Sequence, residues 1–268
     1  MTSATRLTGE RLDPGNTLYA ADLARHRVAY RFAEVHVGSG RVLDLGCGAG
    51  YGSAELAAKH ARVIGMDRVA PAAEPRARPG SGARFVRGDL GGLPFAAASF
   101  DLVVSFQVIE HLLDATDYLR EIVRVLRPAG TLLISTPNLL QSERENPYHV
   151  HEYAAEELTA VLSRCFGRVQ MLGVFARGPA AEFQAARLSR IRRITRLDPL
   201  GLRRKLPRAL VDWLFARLSL LVRMAERRGG AAAAVGEEHY PIGPADAACL
   251  DLLALCHEPR SAMRGLPT

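Results

Sequence analysis

The feature that most constrains the fold is a short apolar run that ends in a glycine-rich turn. Residues 42–45 read VLDL and are followed by glycines at alternate positions, Gly46, Gly48 and Gly50. A continuous apolar run closed by glycines is typical of a strand buried on both faces of a parallel sheet. The alanine-rich segment 51–60 then predicts a helix, so the stretch is a strand, a tight turn and a helix.

The same alternation of strand and helix continues along most of the chain. Helices are predicted at 20–37, 51–60, 116–126 and 154–165, and strands at 42–45, 62–67, 83–89, 100–106, 131–136 and 168–175. Strands that alternate with helices form parallel β-α-β units covered on both faces. We therefore predict an α/β fold with a doubly wound, mostly parallel sheet of seven strands and a basic helical insertion before the last strand.

Two segments depart from the alternation. Prolines at positions 71, 75 and 79 oppose a helix between the second and third strands, so a loop or a single turn is predicted there. The apolar run Cys249–Cys256 predicts the last strand, and a short helix is the alternative because leucine and alanine dominate it. The chain then divides into a leader with a capping helix (1–40), a core (41–177), a helical insertion (178–236) and a final strand with a tail (237–268).

The net charge of +7 is concentrated in the insertion. Residues 187–228 contain thirteen arginines and lysines but only three acids, and the rest of the chain is slightly acidic. The segment Arg208–Arg228 predicts an amphipathic helix with a basic side and with Trp213 on its apolar side. Such a helix could bind an anionic membrane surface, act as a lid or form a homodimer contact. Nucleic acid binding is not expected, because aromatic residues are not interleaved with the arginines.

Cysteine use and apolar segments bear on localisation. The four cysteines have no CxxC spacing, which fits free thiols in a reducing cytoplasm better than a disulfide framework. The N-terminal segment lacks the apolar region of a signal peptide, and no apolar run reaches the ~18 residues needed to span a membrane. We expect a cytoplasmic protein, with contact to a membrane surface through 187–228 as an open alternative.

Three carboxylates follow the ends of successive predicted strands. Asp44 precedes the glycine-rich turn, Asp67 ends the second strand and Asp89 ends the third. Open α/β sheets bind ligands at this edge, and an acid about 20 residues after the turn accepts hydrogen bonds from ribose hydroxyls. A dinucleotide fingerprint would need a glycine where the chain has Tyr51, which disfavours a pyrophosphate. The pattern predicts a nucleoside ligand, with a purely loop-stabilising role for Asp44 left open.

From Val42 to Thr136 the sequence resembles the class I S-adenosylmethionine (SAM)-dependent methyltransferases, and within them the type 11 family. The resemblance is carried by VLDLGCGAGYGS, VIGMD, FVRGDLGGLPFAAASFDLVVSFQVIEHL and VLRPAGTLLISTPN. It implies that SAM is the cofactor, with its ribose on Asp67. It also implies that Asp89 and Leu90 contact the adenine and that Gln107 lies beside the cofactor and the substrate. The resemblance also implies cofactor positions in and beside the glycine-rich turn, namely Asp44, Gly46, Cys47, Gly48 and Gly50, with Cys47 as a structural part of the turn. Arg68, directly after Asp67, is a further implied cofactor position.

A narrower resemblance covers more of the chain. The segments LTGER, HRVAY, FQVIEHL, STPN and NPYHVHEYAAEEL are similar to those of actinobacterial polysaccharide O-methyltransferases, whereas 178–228 departs from that family. This resemblance implies methylation of a sugar hydroxyl on a glycan, a glycolipid or a glycosylated natural product. Two alternatives are retained: methylation of a quinone or small aromatic, and a SAM-binding regulatory or scaffolding protein without catalysis.

The candidate catalytic residues lie just past the fourth and fifth strands. Methylation of an alcohol needs a group that removes the hydroxyl proton, and histidine is the usual base near neutral pH. His149 is the first choice, followed by His111, Glu110 and His151. In an extended segment His149 and His151 would point the same way, so that with Glu110 or Glu152 they could hold a divalent cation such as Mg²⁺. The structural alternatives are a tied-down helix start at 110–111 and capping of the next helix by the histidine pair.

Overall fold

The computed structural model describes residues 12, 14–59, 62–69, 82–142, 146, 148–195, 217 and 234–260 of the chain. These residues form one mostly parallel sheet flanked by helices. The helices are α1 (Ala20–Glu34), α2 (Tyr51–Lys59), α3 (Thr116–Val125), α4 (Ala155–Cys165) and α5 (Pro179–Thr195). The strands are β1 (Val42–Leu45), β2 (Val63–Asp67), β3 (Ala83–Arg87), β4 (Phe100–Phe106), β5 (Leu126–Pro137), β6 (Phe166–Val174), β7 (Ile242–Pro244) and β8 (Asp251–Pro259).

The strand order is β3-β2-β1-β4-β5-β8-β6-β7. The first five strands in this order are parallel, and β8 runs antiparallel between β5 and β6. The predicted doubly wound α/β fold is therefore confirmed. The parallel strands all end at one edge of the sheet, here called the carboxyl edge, which is where such folds bind their ligands.

The sheet has eight strands rather than the predicted seven. The additional strand is β7, a three-residue edge strand that pairs antiparallel with β6. Pro241 precedes it and Pro244 ends it. Proline has no N–H to donate, which limits the pairing of β7, and a strand this short shows no periodicity that sequence analysis detects.

The apolar run near residue 250 is a strand, as predicted, and not the alternative short helix. β8 is buried at each position from Asp251 to Cys256 and pairs with β5 on one side and with β6 on the other. Pairing along both sides of the strand outweighs the helix propensity of its leucines and alanine.

Helices cover both faces of the sheet. α1 and α2 pack on one face through residues such as Tyr30 and Leu56. α3 and α4 cover the other face through residues such as Ile122 and Leu158. Because β1 lies in the middle of the sheet, all four of its residues are buried, including Asp44.

The segment predicted as a helical insertion begins with α5, which packs against α1 through Ala180 and Phe183. An ion pair between Arg187 and Asp22 of α1 joins the same two helices, with 2.5 Å between Nη1 and Oδ1. The predicted amphipathic helix 208–228 lies outside the described residues apart from Arg217, and so does 70–81 of the proline-containing segment. The domain boundaries therefore stay predictions. Within the part of the chain that the structure covers, each helix is too short or too polar to cross a membrane.

Candidate active site

The glycine-rich turn after β1 needs backbone conformations that glycine adopts easily. Gly46, Gly48 and Gly50 have φ angles of +81°, +55° and +84°, which lie in the left-handed region that other residues avoid. A Cβ atom on Gly46 would lie 2.4 Å from Cγ2 of Val108, whereas a Cβ atom on Gly48 would meet no atom of the described residues within 4 Å. The turn is therefore packed against the end of β4 at Gly46 and open at Gly48.

Backbone hydrogen bonds hold this turn against the end of β2. The amides of Gly46 and Cys47 donate to the carbonyl oxygen of Met66 at 2.8 and 3.0 Å. The Gly48 amide donates to Oδ2 of Asp67 at 2.9 Å. The Cys47 side chain is buried, which agrees with a structural part for it in the turn. Asp67 is thus placed at the carboxyl edge directly beside the open glycine.

Asp44 makes its hydrogen bonds inside the protein. It is 1% exposed, and its carboxylate accepts from Oγ of Ser53 in α2 at 2.6 Å and from Oη of Tyr30 in α1 at 3.2 Å. Burial raises the pKa of Asp44 to about 7, and the negative charge of Asp67 acts in the same direction. In this structure Asp44 ties α1 and α2 to the turn, which is the stabilising role that the sequence left open.

The third carboxylate lies beyond the end of β3 and faces solvent. Oδ2 of Asp89 is 3.9 Å from Nε of Arg68, and both side chains are largely exposed. Oδ1 of Asp89 accepts a hydrogen bond from the Gly91 amide at 3.0 Å. Leu90, in contrast, packs partly buried against the core. Asp67 therefore ends one strand and Asp89 follows the neighbouring strand, with Arg68 beside Asp89.

Gln107 lies just past β4 in a conformation that is uncommon for a residue with a side chain, because its φ angle is +58°. Its amide donates to the carbonyl oxygen of Ser135 at 2.9 Å, and its Nε2 donates to Oδ1 of Asp251 at 3.2 Å. Asp251 is buried and also accepts from Nε of Arg25 in α1 at 2.6 Å. Sequence analysis missed Arg25 and Asp251, although a lone acid within the apolar run 249–256 was an available signal.

A second cluster, formed by Glu110, His111 and His149, lies further along the carboxyl edge. One potential ligand atom from each of the three side chains lies within 4.8 Å of the other two. Glu110 is fully buried. Its Oε2 accepts a hydrogen bond from Oγ1 of Thr136 at 3.1 Å, but its Oε1 has no hydrogen-bond partner among the described residues. Burial raises the pKa of Glu110 to about 8.

Both histidines of this cluster are oriented through Nδ1. Nδ1 of His149 lies 2.6 Å from Oε1 of Glu152, and Nδ1 of His111 lies 2.9 Å from the carbonyl oxygen of Tyr148. A carboxylate and a carbonyl oxygen only accept hydrogen bonds, so Nδ1 carries the proton in each ring. In a neutral imidazole the lone pair is then on Nε2, which is the nitrogen able to accept a proton or bind a metal.

The structure does not bring His151 to this cluster. Its Nε2 lies 2.7 Å from Oε1 of Glu157, and both side chains are exposed. The expected alignment of His149 with His151 required an extended segment, but the backbone forms a turn at residue 148 and a bend at residue 150. His111 therefore takes the place beside His149 that the sequence analysis gave to His151.

Comparisons of the sequence with known proteins all point to methyltransferases. Residues 43–134 match the type 11 methyltransferase domain. A Mycolicibacterium smegmatis protein named as a probable S-adenosylmethionine-dependent methyltransferase is 42% identical over 191 residues, which cover 68% of this chain and 74% of that protein. A Mycobacterium tuberculosis protein with the same description is 38% identical over 188 residues, covering 68% of each chain.

A solved structure shares the fold. The crystal structure of a Thermotoga maritima protein, described as a SAM-dependent methyltransferase and possible histamine N-methyltransferase, has a TM-score of 0.54. It covers 90% of this chain and 98% of its own, at 14% sequence identity. At that identity the likeness concerns the fold alone.

Proposed function

The chain belongs to the SAM-dependent methyltransferases, and we propose that it transfers the methyl group of SAM to a hydroxyl group of a sugar. Membership in this class makes the protein an enzyme, so the alternative of a SAM-binding protein without catalysis is no longer retained.

The observation that carries the proposal is the cluster of Glu110, His111 and His149 at the carboxyl edge. A hydroxyl acceptor has to lose its proton during transfer, and this cluster supplies groups that can promote that loss. The resemblance to polysaccharide O-methyltransferases supports a sugar as the acceptor.

The described residues at the end of β1 and β2 fit the cofactor. SAM supplies a methyl group on a sulfonium, which is an excellent leaving group. Space for a ligand is open at Gly48, next to the Asp67 carboxylate. The Asp67 oxygens accept from the amides of Gly48 and Val69, but each carboxylate oxygen has two lone pairs and can accept a further hydrogen bond from a ribose hydroxyl. Asp89, which is exposed beyond the end of the neighbouring strand β3, would contact the adenine.

On the acceptor side, His149 is the residue that we expect to act on the hydroxyl. Glu152 holds the Nδ1 proton of His149, and Oε1 of Glu152 also accepts from Oγ of Ser142 at 2.7 Å. This second hydrogen bond fixes the carboxylate and therefore the ring. The lone pair on Nε2 can accept the hydroxyl proton or bind a cation that itself binds the hydroxyl.

Replacing Asp67 by alanine should weaken SAM binding about tenfold or more without unfolding the protein, because a lost hydrogen bond to a charged group typically costs ~1.5–3 kcal/mol. Calorimetric titration of SAM measures the effect. Asp117→Ala, which removes an exposed carboxylate on α3, is the matched control and should bind SAM like the unchanged protein. Equal affinities for all three proteins would remove Asp67 from the cofactor site.

The acceptor itself is tested by supplying SAM with panels of glycans, glycolipids and phenols and measuring release of S-adenosylhomocysteine. Methylation of a sugar hydroxyl, located by mass spectrometry of the product, is the expected result. Turnover with a quinol or another phenol, and none with any sugar, would replace the proposal by its small-aromatic alternative.

The basic segment 187–228 carries a separate prediction that rests on its charge. If it contacts a membrane surface, binding to vesicles should rise with their anionic lipid content and fall with salt, since such attraction is screened over ~10 Å at 0.1 M. Trp213 is the only tryptophan, so its emission should shift to the blue when vesicles are added. Emission that is already blue and unaffected by vesicles would instead indicate a lid or a homodimer contact.

A further inference from the structure

We infer that Glu110, His111 and His149 form a binding site for one divalent first-row transition-metal ion, such as Mn²⁺ or Co²⁺. The chemical role of the ion, which is to hold the acceptor hydroxyl, rests on the proposed function. Binding of the ion does not, and it can be measured without any acceptor.

The spacing of the three side chains suits a single ion. Their potential ligand atoms all lie within 4.8 Å of one another. Metal bonds to nitrogen and carboxylate oxygen are ~2.0–2.2 Å long, so two ligands of one ion are separated by at most roughly 4.2 Å. The separations of up to 4.8 Å exceed this limit by no more than about 0.6 Å, so the three side chains lie close to the spacing that one ion requires.

Each of the three proposed ligands has a hydrogen-bond partner of the kind that usually orients a metal ligand. Glu152 holds Nδ1 of His149, the carbonyl oxygen of Tyr148 holds Nδ1 of His111, and Thr136 donates to Glu110. Such partners fix the ring tautomer and increase the basicity of the ligand. The carbonyl oxygen of Glu110 also accepts from the amides of residues 150 and 151 at 2.8 and 3.1 Å, which ties the His149 loop to Glu110.

The burial of Glu110 is the second, independent observation. Removal from water without a partner strongly disfavours the charged form of a carboxyl group, so a buried carboxylate needs a positive charge beside it. Glu110 is fully buried, and among the described residues its Oε1 has no hydrogen-bond partner and no arginine or lysine pairs with it. A bound cation at Oε1 would supply the missing positive charge.

The donor set favours a transition metal over Mg²⁺, the ion that the sequence analysis suggested. Imidazole nitrogens suit first-row transition metals, whereas Mg²⁺ prefers an all-oxygen, octahedral shell. Three protein ligands leave coordination positions for the acceptor hydroxyl, whose pKa falls on coordination. The hydroxyl gives its proton to water, its oxygen forms the new bond to the methyl carbon, and the electron pair of the carbon–sulfur bond stays on sulfur.

The test is a titration of the full-length, EDTA-treated protein with MnCl₂, in which electron paramagnetic resonance measures the free ion. We expect one Mn²⁺ bound per chain, with Mg²⁺ displacing it only at much higher concentration. Glu110→Gln and His111→Ala should each weaken Mn²⁺ binding by at least about 10-fold, because loss of even an outer-shell partner of a metal ligand typically costs about 10–100-fold in affinity. His151→Ala removes a neighbouring exposed histidine and should leave Mn²⁺ binding unchanged. Unchanged SAM affinity shows that each variant is folded.

The outcomes separate this inference from the proposed function. Absence of stoichiometric Mn²⁺ binding, or equal binding by the unchanged protein and Glu110→Gln, overturns the metal site even if a sugar is methylated. Mn²⁺ binding that is lost in Glu110→Gln and kept in His151→Ala supports the site even if no sugar in the panel is methylated. A preference for Mg²⁺ over Mn²⁺ would overturn the assignment to a transition metal.

Discussion

Replacing His149 by alanine is expected to lower the turnover number by roughly 10²–10⁴-fold, the usual contribution of a residue that promotes proton removal. SAM affinity should stay nearly unchanged, because the implied cofactor contacts lie at the ends of β1 to β4, whereas His149 follows β5. Steady-state release of S-adenosylhomocysteine gives the turnover number, and calorimetric titration gives the affinity. The same result is expected whether Nε2 of His149 accepts the proton directly or binds a metal ion.

His257→Gln is the matched control for this experiment. His257 lies near the end of β8, which runs antiparallel to its neighbours, so it is at the opposite edge of the sheet from His149. The turnover number of the His257→Gln variant should equal that of the unchanged enzyme. If His111→Ala abolished turnover while His149→Ala did not, His111 would be the principal residue on the acceptor side and the order proposed above would be incorrect.

Replacing Asp44 by asparagine should change how stability depends on pH. The pKa of Asp44 is about 7 in the folded protein and 3.8 ordinarily. A carboxyl group whose pKa rises on folding favours the folded state below its ordinary pKa, and this advantage is lost as the pH rises towards the folded-state pKa. The charge on Asp44 therefore destabilises the protein between pH 4 and pH 7, by about 4 kcal/mol in total at ~1.4 kcal/mol per unit. The asparagine of Asp44→Asn cannot ionise, so the free energy of unfolding of this variant should not fall through ionisation at position 44 over this pH range.

Urea unfolding of both proteins at a series of pH values measures the effect. The free energy of unfolding of Asp44→Asn, relative to the unchanged protein, should increase from pH 4 to pH 8 and level off above pH 8. Comparison of the two proteins at each pH cancels the contributions of other groups, including His26, whose pKa burial lowers to about 4. A difference that is constant with pH would show that Asp44 is already ionised in the folded state.

Local patterns were sufficient to predict most of the fold. β4 begins and ends where its apolar run does, and β1 is followed by glycines whose left-handed φ angles explain their presence. Helix ends were less well predicted, since α1 stops at Glu34 rather than residue 37. β7 was missed because a three-residue strand that ends in a proline carries no periodic signal, and its pairing depends on β6, which is distant in the sequence.

The site could be predicted only in part, because its contacts depend on the conformation of two loops. The strand ends place Asp67 and Asp89 at the carboxyl edge, as their positions after β2 and β3 indicated. A 3₁₀ turn at 109–111 and the turn at 148 decide that His111, and not His151, meets His149. Such loop conformations are set by packing and by hydrogen bonds to the Glu110 carbonyl oxygen, which no sequence pattern records.

The partner of Gln107 has a consequence for the order of folding. Asp251 lies 144 residues after Gln107 and 226 residues after its other partner, Arg25. Contacts so distant in sequence carry a large loop-closure entropy, which slows their formation. The strands β1 to β5 leave the ribosome before β8 and can begin to pair with one another. The Gln107 side chain meets Asp251 only once β8 has entered the sheet between β5 and β6, so this contact is expected to form at the last stage of folding.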